Sequence, residues 1–342
     1  MKKKVVISDI AKKLGVSITT VSFILNGKAK EKRISESVTK EVTMLIEELG
    51  YKPDALAKSL RTGKTNVIGL IVEDISNPFF SGTARLIEEN AYKHGYRILY
   101  CSTENKVDKT KELIRMFRER KVDGYIITPA EGVEEDVAIL LKNNLPVVLF
   151  DRYFPGLETN YVVIDNYNAV YDATIHLYDQ GFSNIGFVTI ESIQTQMQER
   201  LNGYMKAQEK FRKEPLVEEV SFSDDYSEMV RAIAQFIERN PQMDAIMFGT
   251  NYLGVRGLAA LKALNINIAE KMGVVSFDDH EIFGLYSPSI TAIAQPIEEI
   301  SRQLIKILLE QLDSSTPSGI TSLSKLNLKA DLIVRDSTRR RN

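Results

Sequence analysis

Apolar and polar positions in the first fifty residues alternate with helical spacing, and this pattern predicts three short helices. The first helix is expected to begin at Ser8, as its N-cap, and to end at Gly15, in a left-handed conformation. The second follows another expected N-cap, Ser17, and closes at Asn26 and Gly27. The apolar stripes of these two helices consist of Ile7, Ile10, Ala11 and Leu14, and of Val21, Ile24 and Leu25. Two helices joined by a tight glycine turn are typical of a helix-turn-helix.

A third helix is predicted between Ser35, its expected N-cap, and Gly50, which would stop it. Its apolar stripe consists of Val38, Val42, Leu45, Ile46 and Leu49. The second helix leaves one large apolar side chain, Phe23, outside its own stripe. Because an exposed aromatic ring usually touches a partner, Phe23 is expected on a contact surface. The alternative is that Phe23 turns inward and pads the junction of the second and third helices.

From residue 67 onward, short apolar runs alternate with amphipathic stretches. The runs lie at 67–72, 97–101, 124–127, 146–150, 161–164, 185–190, 245–249, 273–277 and 290–294. The amphipathic stretches include 82–94, 108–119, 168–180, 226–239 and 255–264. Strands that alternate with helices form parallel sheets in doubly wound layers. This part of the chain is too long for one such sheet, so two α/β lobes are expected behind an all-α head.

Polar residues follow the ends of these predicted strands, where open α/β sheets bind their ligands. They are Glu73, Asp74, Ser102, Thr128, Asp151, Arg152, Glu191, Thr250, Asn251, Asp278, Asp279 and Gln295. Carboxylates, amides and an arginine suit a polyhydroxylated ligand, and Phe79 and Phe80 could stack on the apolar face of a sugar ring. A role as loop caps is an equal alternative for four of the polar residues. These four are Glu73, Ser102, Glu191 and Asp279.

Charge is distributed unevenly along the 342 residues. Residues 1–64 hold 14 Lys and Arg against 7 Asp and Glu, a net charge of +7, whereas the remainder holds 30 against 39. A basic head on an acidic body favours a polyanionic partner for the head, with a solvated charged face as the alternative.

The few cysteines and histidines argue against a metal site, and no cofactor is expected. Cys101 is the single cysteine, and three histidines, His94, His176 and His280, lie far apart in sequence. No apolar run approaches the ~18 residues of a membrane span. Polar residues such as Asp9 interrupt any signal-like segment after the basic N-terminus. A cytoplasmic protein without a membrane partner is therefore expected.

Sequence motifs along nearly the whole chain resemble the lactose/galactose/purine repressor family of bacterial transcriptional regulators. In the head these are the run from Ile7 to Ser17, Thr20-Val21-Ser22, Leu25-Asn26-Gly27 and the run from Gly50 to Arg61. In the body they are Asn77-Pro78-Phe79-Phe80, Arg120-Lys121-Val122-Asp123-Gly124, Asp151-Arg152, Arg200-Leu201-Asn202-Gly203-Tyr204, Ser276-Phe277-Asp278-Asp279 and the run from Leu332 to Thr338.

The resemblance implies three parts and a body similar to periplasmic sugar-binding proteins. They are a helix-turn-helix domain at 1–53, a hinge at 54–64 and an effector-binding domain at 65–342. Within the body, one lobe is expected at about 65–164 and 295–325, and the other at about 165–294 and 326–338. The chain is expected to cross between lobes near 164–166, 294–296 and 322–328.

The same resemblance implies a homodimeric repressor that binds palindromic operator DNA and is controlled by a small-molecule effector, expected to be a sugar. Helix 18–25 would lie in the major groove, and Leu60 would wedge into the minor groove. The expected DNA contacts are Ser8, Ser17, Ile18, Thr19, Thr20, Ser22, Phe23, Asn26, Tyr51, Ala57 and Leu60. The expected effector contacts are Phe79, Phe80, Thr128, Asp151, Arg152, Arg200, Asn251, Asp278 and Gln295.

The family pattern leaves two points open: the contacts of one loop, and whether the effector releases the repressor from DNA or strengthens its binding. Tyr252 follows Asn251, where relatives usually have Asp, so the family pattern does not predict the contacts of that loop. Sugars commonly release such repressors from DNA, while the purine branch uses a corepressor. The sequence does not distinguish the two directions.

Two other classes of protein fit the sequence less well. A solute-binding protein of the transport kind would share the body but would carry a cleavable signal and no basic head. An enzyme would need a nucleophile and base or a metal constellation. Gly63-Lys64-Thr65 lacks the earlier glycine of a phosphate-binding loop, and Asp278 and Asp279 are adjacent strand-end residues that usually point apart. No catalytic or metal-binding residue is therefore predicted.

Overall fold

The chain forms two compact units, residues 1–65 and 66–342, in a computed structural model that describes residues 5–51, 63–222, 225–313 and 323–339. Most of the expected hinge, including Ala57 and Leu60, lies outside the described residues. The predictions for those two residues are therefore not addressed by the structure.

The head contains the three predicted helices, α1 (Ile7–Leu14), α2 (Ile18–Leu25) and α3 (Glu36–Glu48). Gly15 ends α1 with φ = 65°, a left-handed conformation that glycine adopts without a steric penalty. The Ser17 hydroxyl accepts a hydrogen bond from the backbone N–H of Thr20 at 3.0 Å, as expected of an N-cap. The buried core of the head consists of Ile10, Ala11, Val21, Val42 and Leu45.

The predicted start of α1 is wrong. The N-cap is Val6, and Ser8 is an exposed residue inside the first turn. The Asp9 carboxylate accepts a hydrogen bond from the backbone N–H of Val6 at 3.0 Å. A helix N-terminus needs an acceptor for its free N–H groups, and here the carboxylate of the third helical residue supplies one. Ile7 is the first residue of the helix, and its side chain packs on the core of the head.

The first lobe of the body is built on a six-stranded parallel sheet, in the order β11-β5-β4-β3-β1-β2. Its strands are β1 (Val67–Val72), β2 (Arg97–Ser102), β3 (Gly124–Ile127), β4 (Val147–Phe150), β5 (Asn160–Ile164) and β11 (Lys325–Leu328). Its helices are α4 (Pro78–Lys93), α5 (Val107–Glu119), α6 (Glu134–Lys142) and α12 (Ile297–Asp313).

The second lobe repeats this order, β12-β10-β9-β8-β6-β7, with β12 antiparallel to β10. Its strands are β6 (Ile185–Ile190), β7 (Leu216–Val220), β8 (Ala245–Phe248), β9 (Gly273–Phe277), β10 (Thr291–Ala294) and β12 (Asp331–Ile333). Its helices are α7 (Asn166–Asp179), α8 (Thr195–Phe211), α9 (Tyr226–Arg239), α10 (Asn251–Ala263) and α11 (Glu281–Leu285), and a 3₁₀ turn follows at Asp336–Thr338.

The chain crosses between the lobes at three places, after β5, after β10 and between β11 and β12. The first two lie where the sequence places them. The third lies at residues 329–330, beyond the expected 322–328, because Lys325–Leu328 still pairs with β5 in the first sheet. Among the described helices, none is long and apolar enough to cross a membrane.

Candidate functional site

Two aspartates mark the carboxyl ends of corresponding strands, where the polypeptide leaves each sheet. Asp151 follows β4 and Asp278 follows β9. Both have a left-handed backbone, with φ of 69° and 61°. Aspartate tolerates this conformation better than most residues because its short polar side chain interacts locally. Both side chains are almost completely buried, with 8% of the Asp151 side chain and 8% of Asp278 exposed.

Arg200 on α8 lies within the electrostatic range of both carboxylates. Its guanidinium carbon is 3.5 Å from the centroid of the Phe277 ring, so the planar group stacks on that ring. Nε donates to Asn166 Oδ1 at 2.8 Å, and Nη1 donates to the carbonyl of Gly249 at 2.8 Å. Burial lowers the pKa of Arg200, while Asp278 and Asp151 oppose that shift. The guanidinium is therefore a fixed cation in the cleft.

Burial sets the ionisation of the two aspartates. It raises the pKa of Asp151 to about 6, against the attraction of Arg152 and Arg200. Burial also raises the pKa of Asp278, although Arg200 opposes the shift. The amide of Gln295 donates to Asp278 Oδ1 at 2.6 Å and holds that carboxylate in place. The site therefore presents carboxylate oxygens in a largely desolvated space.

Arg152 joins the two lobes. Only 3% of this residue is exposed. Its guanidinium donates to the Pro129 carbonyl at 2.8 Å, to Glu73 Oε2 at 2.7 Å and to Asn105 Oδ1 at 3.4 Å. Across the cleft, it donates to Gln194 Oε1 at 2.9 Å. Arg152 thus lies at the cleft with its described hydrogen bonds directed to protein acceptors, and its contact with an effector stays a prediction.

Two further side-chain hydrogen bonds connect the lobes. Asn251 Nδ2 donates to Asn77 Oδ1 at 2.9 Å, and Gln194 Nε2 donates to Asn105 Oδ1 at 3.1 Å. Asn77 also caps α4, because its side chain accepts from the backbone N–H of Phe79. In each of these two hydrogen bonds, an amide side chain of one lobe is joined to an amide side chain of the other lobe.

Three residues predicted to contact the effector through an aromatic ring or a hydroxyl group, Phe79, Phe80 and Thr128, are buried in the first lobe. Phe79 and Phe80 belong to the buried core and pack against Phe150, with ring centroids 6.5 Å and 6.1 Å from that ring. Thr128 is fully buried, and its hydroxyl has no hydrogen-bond partner among the described residues. Stacking of the two phenylalanines on a ligand remains a prediction.

On the head, α2 presents the residues that were expected to read DNA. Ile18 is 51% exposed, and Thr19 is exposed beside it. Phe23 is half-buried and is not one of the described side chains that pack on the head core. The ammonium group of Lys32 lies 5.5 Å from the centroid of the Phe23 ring. Tyr51, in contrast, packs against the core.

Comparison with known proteins assigns both units. A family profile described as "Bacterial regulatory proteins, lacI family" matches residues 6–54. A second, described as "Periplasmic binding proteins and sugar binding domain of LacI family", matches residues 65–331. The chain belongs to the lacI family.

Individual relatives match this lacI-family chain over most of its length. The HTH-type transcriptional repressor PurR of Haemophilus influenzae (strain PittGG) is 30% identical, covering 97% of this chain and 98% of the relative. The structure of the lac repressor dimer bound to operator and the anti-inducer ONPF has a TM-score of 0.86 at 20% identity, covering 98% and 99% of the two chains. A periplasmic binding protein/LacI transcriptional regulator from Alkaliphilus metalliredigens QYMF, complexed with D-xylulofuranose, has a TM-score of 0.70 at 25% identity, covering 80% and 98%. The chain is therefore a DNA-binding transcriptional regulator with the lac repressor fold.

Tyr252, the second residue of α10, lies at the cleft. Its ring is half-buried and meets Phe222 edge-on, with centroids 6.1 Å apart. Burial raises the pKa of the phenol well above its ordinary value, and the charges of Glu73 and Asp278 act in the same direction. A bulky phenol therefore stands at this edge of the cleft.

Several strand-end residues form hydrogen bonds within the protein. The Ser102 hydroxyl accepts from the backbone N–H of Ile75 at 2.9 Å. Asp279 accepts two hydrogen bonds of 2.8 Å from Arg335. Ser221 donates to Glu191 at 3.1 Å.

Three cleft residues were not predicted from the sequence. Asn105 lies three residues after β2, and Gln194 and Gln196 lie at the start of α8 after β6. The Oε1 atom of Gln196 is buried and has no partner within the described part of the chain. The strand-end rule selects only the residues directly after each apolar run. Extending the same rule by a few residues into each loop would have included Asn105 and Gln194, whereas Gln196 already lies in the first turn of α8.

Proposed function

We propose that this chain, a transcriptional repressor of the lacI family, binds palindromic operator DNA as a homodimer and responds to a sugar held between Asp151 and Asp278. The observation that supports the effector site most directly is the pair of buried carboxylates at corresponding strand ends, with Arg200 fixed by Phe277 within range of both.

This chemistry suits hydroxyl groups. An ionised carboxylate only accepts hydrogen bonds, and a guanidinium only donates them, so together they can bind hydroxyls in either role. Hydrogen bonds to charged groups are stronger than those between neutral groups. The D-xylulofuranose bound to the relative from Alkaliphilus metalliredigens is a polyhydroxylated compound of this kind.

The head supplies DNA recognition in this proposal. Helix α2 would enter the major groove with Ile18 and Thr19 exposed towards the bases. The net charge of +7 over residues 1–64 would attract phosphates by releasing counterions. The solved lac repressor, which is described as a dimer on its operator, supports a two-fold arrangement. In the proposed cycle, effector binding in the cleft alters the pairing of the two heads.

An electrophoretic mobility shift with promoter fragments from the protein's own operon tests this function. The full-length chain should bind one fragment tightly, with an affinity that falls steeply as salt is added. A body truncated to residues 66–342 should lose DNA binding but keep ligand binding. Release on addition of a sugar would indicate an inducer, and tighter binding a corepressor. DNA binding by the truncated body would contradict the assignment of the head.

Asp278→Asn tests the effector site separately. It should weaken effector binding by about 1.5–3 kcal/mol, the typical contribution of a hydrogen bond to a charged group. Binding to DNA without effector should remain unchanged. The matched control is Glu191→Gln, which removes an exposed carboxylate near the end of β6. If calorimetry shows the same effector affinity for Asp278→Asn and the control, the site lies elsewhere.

A further inference from the structure

The charges that surround the cleft sum to a negative value. The Asp151 carboxylate interacts electrostatically with two other carboxylates, Glu73 and Asp278, and with two guanidinium groups, Arg152 and Arg200. If all five are ionised, the formal charge of the cleft is −1. A ligand that carries its own negative charge would therefore enter a site that already repels it.

Both arginines are already engaged by the protein and are poorly placed to balance a second anion. Arg152 donates to four protein acceptors, and its Nη2 is 2.7 Å from the Glu73 carboxylate, so its charge is matched within the protein. Arg200 uses Nε and Nη1 on Asn166 and Gly249, and its flat face lies on Phe277. The charge of Arg200 also interacts with the carboxylates of Asp278, Asp151 and Glu199.

Arg256 is a further cation on α10. Its described contacts are with two tyrosines, and its buried Nε has no hydrogen-bond partner among the described residues. Its guanidinium lies 5.2 Å from the centroid of the Tyr226 ring and 5.6 Å from that of Tyr252. Its Nη1 donates to the carbonyl of Tyr252 at 3.2 Å. Its charge is not among those that shift the pKa of Asp151 or Asp278.

Asp151, in contrast, has unused capacity as an acceptor. Its closest cationic partner is Arg152, at 3.7 Å, which is longer than a hydrogen bond. Within the described part of the chain, no hydrogen bond reaches its carboxylate. A buried carboxylate without donors is unfavourable, so a ligand that brings hydroxyl donors gains from contacting it.

We propose that the carboxylates of Asp151 and Asp278 restrict the proposed effector site to uncharged compounds, so that the cleft excludes phosphorylated and acidic derivatives of a sugar that it binds. This inference rests on the proposed effector site. It adds that selection between a sugar and its anionic derivative comes from unmatched carboxylates rather than from the size of the cleft.

Calorimetry with matched ligands gives the first test. The probes are D-xylulose with its 5-phosphate, and D-glucose with its 6-phosphate and with gluconate, titrated into the full-length protein at constant ionic strength. We expect every compound that binds to be uncharged, and its anionic counterpart to bind at least about 100-fold more weakly. An anionic derivative that binds as tightly as the neutral sugar would overturn the proposal.

A second test does not require the effector to be known. Inorganic phosphate at millimolar concentration should not raise the melting temperature of the wild-type protein relative to chloride at equal ionic strength. The double variant Asp151→Asn/Asp278→Asn leaves the Arg200 charge unmatched and should bind phosphate about tenfold or more tightly than the wild type. Asparagine tolerates the left-handed conformation at both positions. The control is Glu191→Gln, which removes one exposed carboxylate that does not belong to the three cleft carboxylates. It should not increase the affinity for phosphate.

The outcomes separate this inference from the proposed function. Phosphate binding to the wild type that disappears in Arg200→Gln would refute the exclusion of anions. The absence of any gain in the double variant, or in the single variant Asp151→Asn if the double does not fold, would also refute it. If none of the neutral sugars binds but the variant gains phosphate affinity, the charge argument holds and the choice of a sugar effector fails.

Discussion

Asp151 and Asp278 occupy the same position in the two lobes. Each directly follows the third strand of its sheet order, β4 in one sheet and β9 in the other, and each adopts a left-handed backbone. The preceding residues, Phe150 and Phe277, are both fully buried aromatic residues. The lobes therefore present equivalent carboxylates from opposite sides of the cleft. Asp278 accepts a hydrogen bond from Gln295, whereas Asp151 has no such donor among the described residues.

The difference between these aspartates predicts a pH dependence. Because the pKa of Asp151 is raised to about 6 in the folded protein, the folded state binds a proton that the unfolded state has already released at the same pH. Stability contributed by this group is therefore present at low pH and is lost as the pH rises through about 6. Asp151→Asn should lack this pH-dependent loss, because asparagine does not titrate. The free energy of unfolding of the variant, relative to that of the wild type, should therefore rise by about 1 kcal/mol between pH 5 and pH 7.

Denaturant unfolding of the ligand-free protein at the two pH values measures that advantage. Glu191→Gln serves as the control, because this carboxylate is exposed. A constant difference between Asp151→Asn and the wild type across the range would contradict the assignment of the raised pKa to Asp151.

Gly203 allows α7 and α8 to pack closely. A Cβ atom at this position would lie 2.2 Å from the carbonyl oxygen of Tyr167. Backbone cannot yield as a flexible side chain can, so Gly203→Ala should destabilise the body by about 1–3 kcal/mol. Gly156→Ala is the matched control, since no atom lies within 4 Å of the place that its added methyl group would occupy. Equal melting temperatures for the two variants would show that α7 and α8 can move apart to accommodate the methyl group without a loss of stability.

The corrected start of α1 gives a prediction for the head. Ser17→Ala removes the N-cap of α2 and should cost about 1 kcal/mol of local stability. Ser8→Ala, which changes an exposed residue within the first turn of α1, should cost much less. Hydrogen exchange of the α1 and α2 amides in the full-length protein measures both. Faster exchange in Ser8→Ala than in Ser17→Ala would restore Ser8 as the cap of α1.

The position of Phe23 predicts how the operator is read. A phenylalanine cannot donate a hydrogen bond, but it can contact the methyl group of thymine in the major groove. Replacing the facing thymine by uracil should weaken binding by about 1 kcal/mol, somewhat more than the value of one buried CH₂ group. The same substitution should have no effect on Phe23→Ala. If uracil is tolerated at every half-site position and Phe23→Ala keeps the original sequence preference, Phe23 does not read the bases.

Most strands of the body could be predicted from the sequence, and the missed ones share a physical cause. All nine apolar runs became strands. The three strands that were missed, β7, β11 and β12, lie at the edges of their sheets. Edge strands are only partly covered, so their sequences need not be apolar, and β7 contains Glu218 and Glu219. Periodicity alone therefore predicts the centre of a sheet better than its edge.

The sequence predicted which residues lie at the cleft, but it did not predict the hydrogen bonds that these residues form. The strand-end rule placed Asp151, Asp278 and Arg152 at the cleft. It could not show that Arg152 is engaged by Glu73 and Gln194, because those residues are 79 and 42 positions away in sequence. Hydrogen bonds between distant segments depend on the packing of complete lobes, and no local pattern records them.

The hydrogen bonds that bridge the lobes also have a kinetic consequence. A ligand would reach the buried carboxylates only after three hydrogen bonds between the lobes have broken, those from Asn251 to Asn77, from Arg152 to Gln194 and from Gln194 to Asn105. Opening then precedes association, and the observed association rate should rise with ligand concentration only until it equals the opening rate. Beyond that plateau, the rate at which the lobes separate would limit association, and a further increase in effector concentration would not make binding faster.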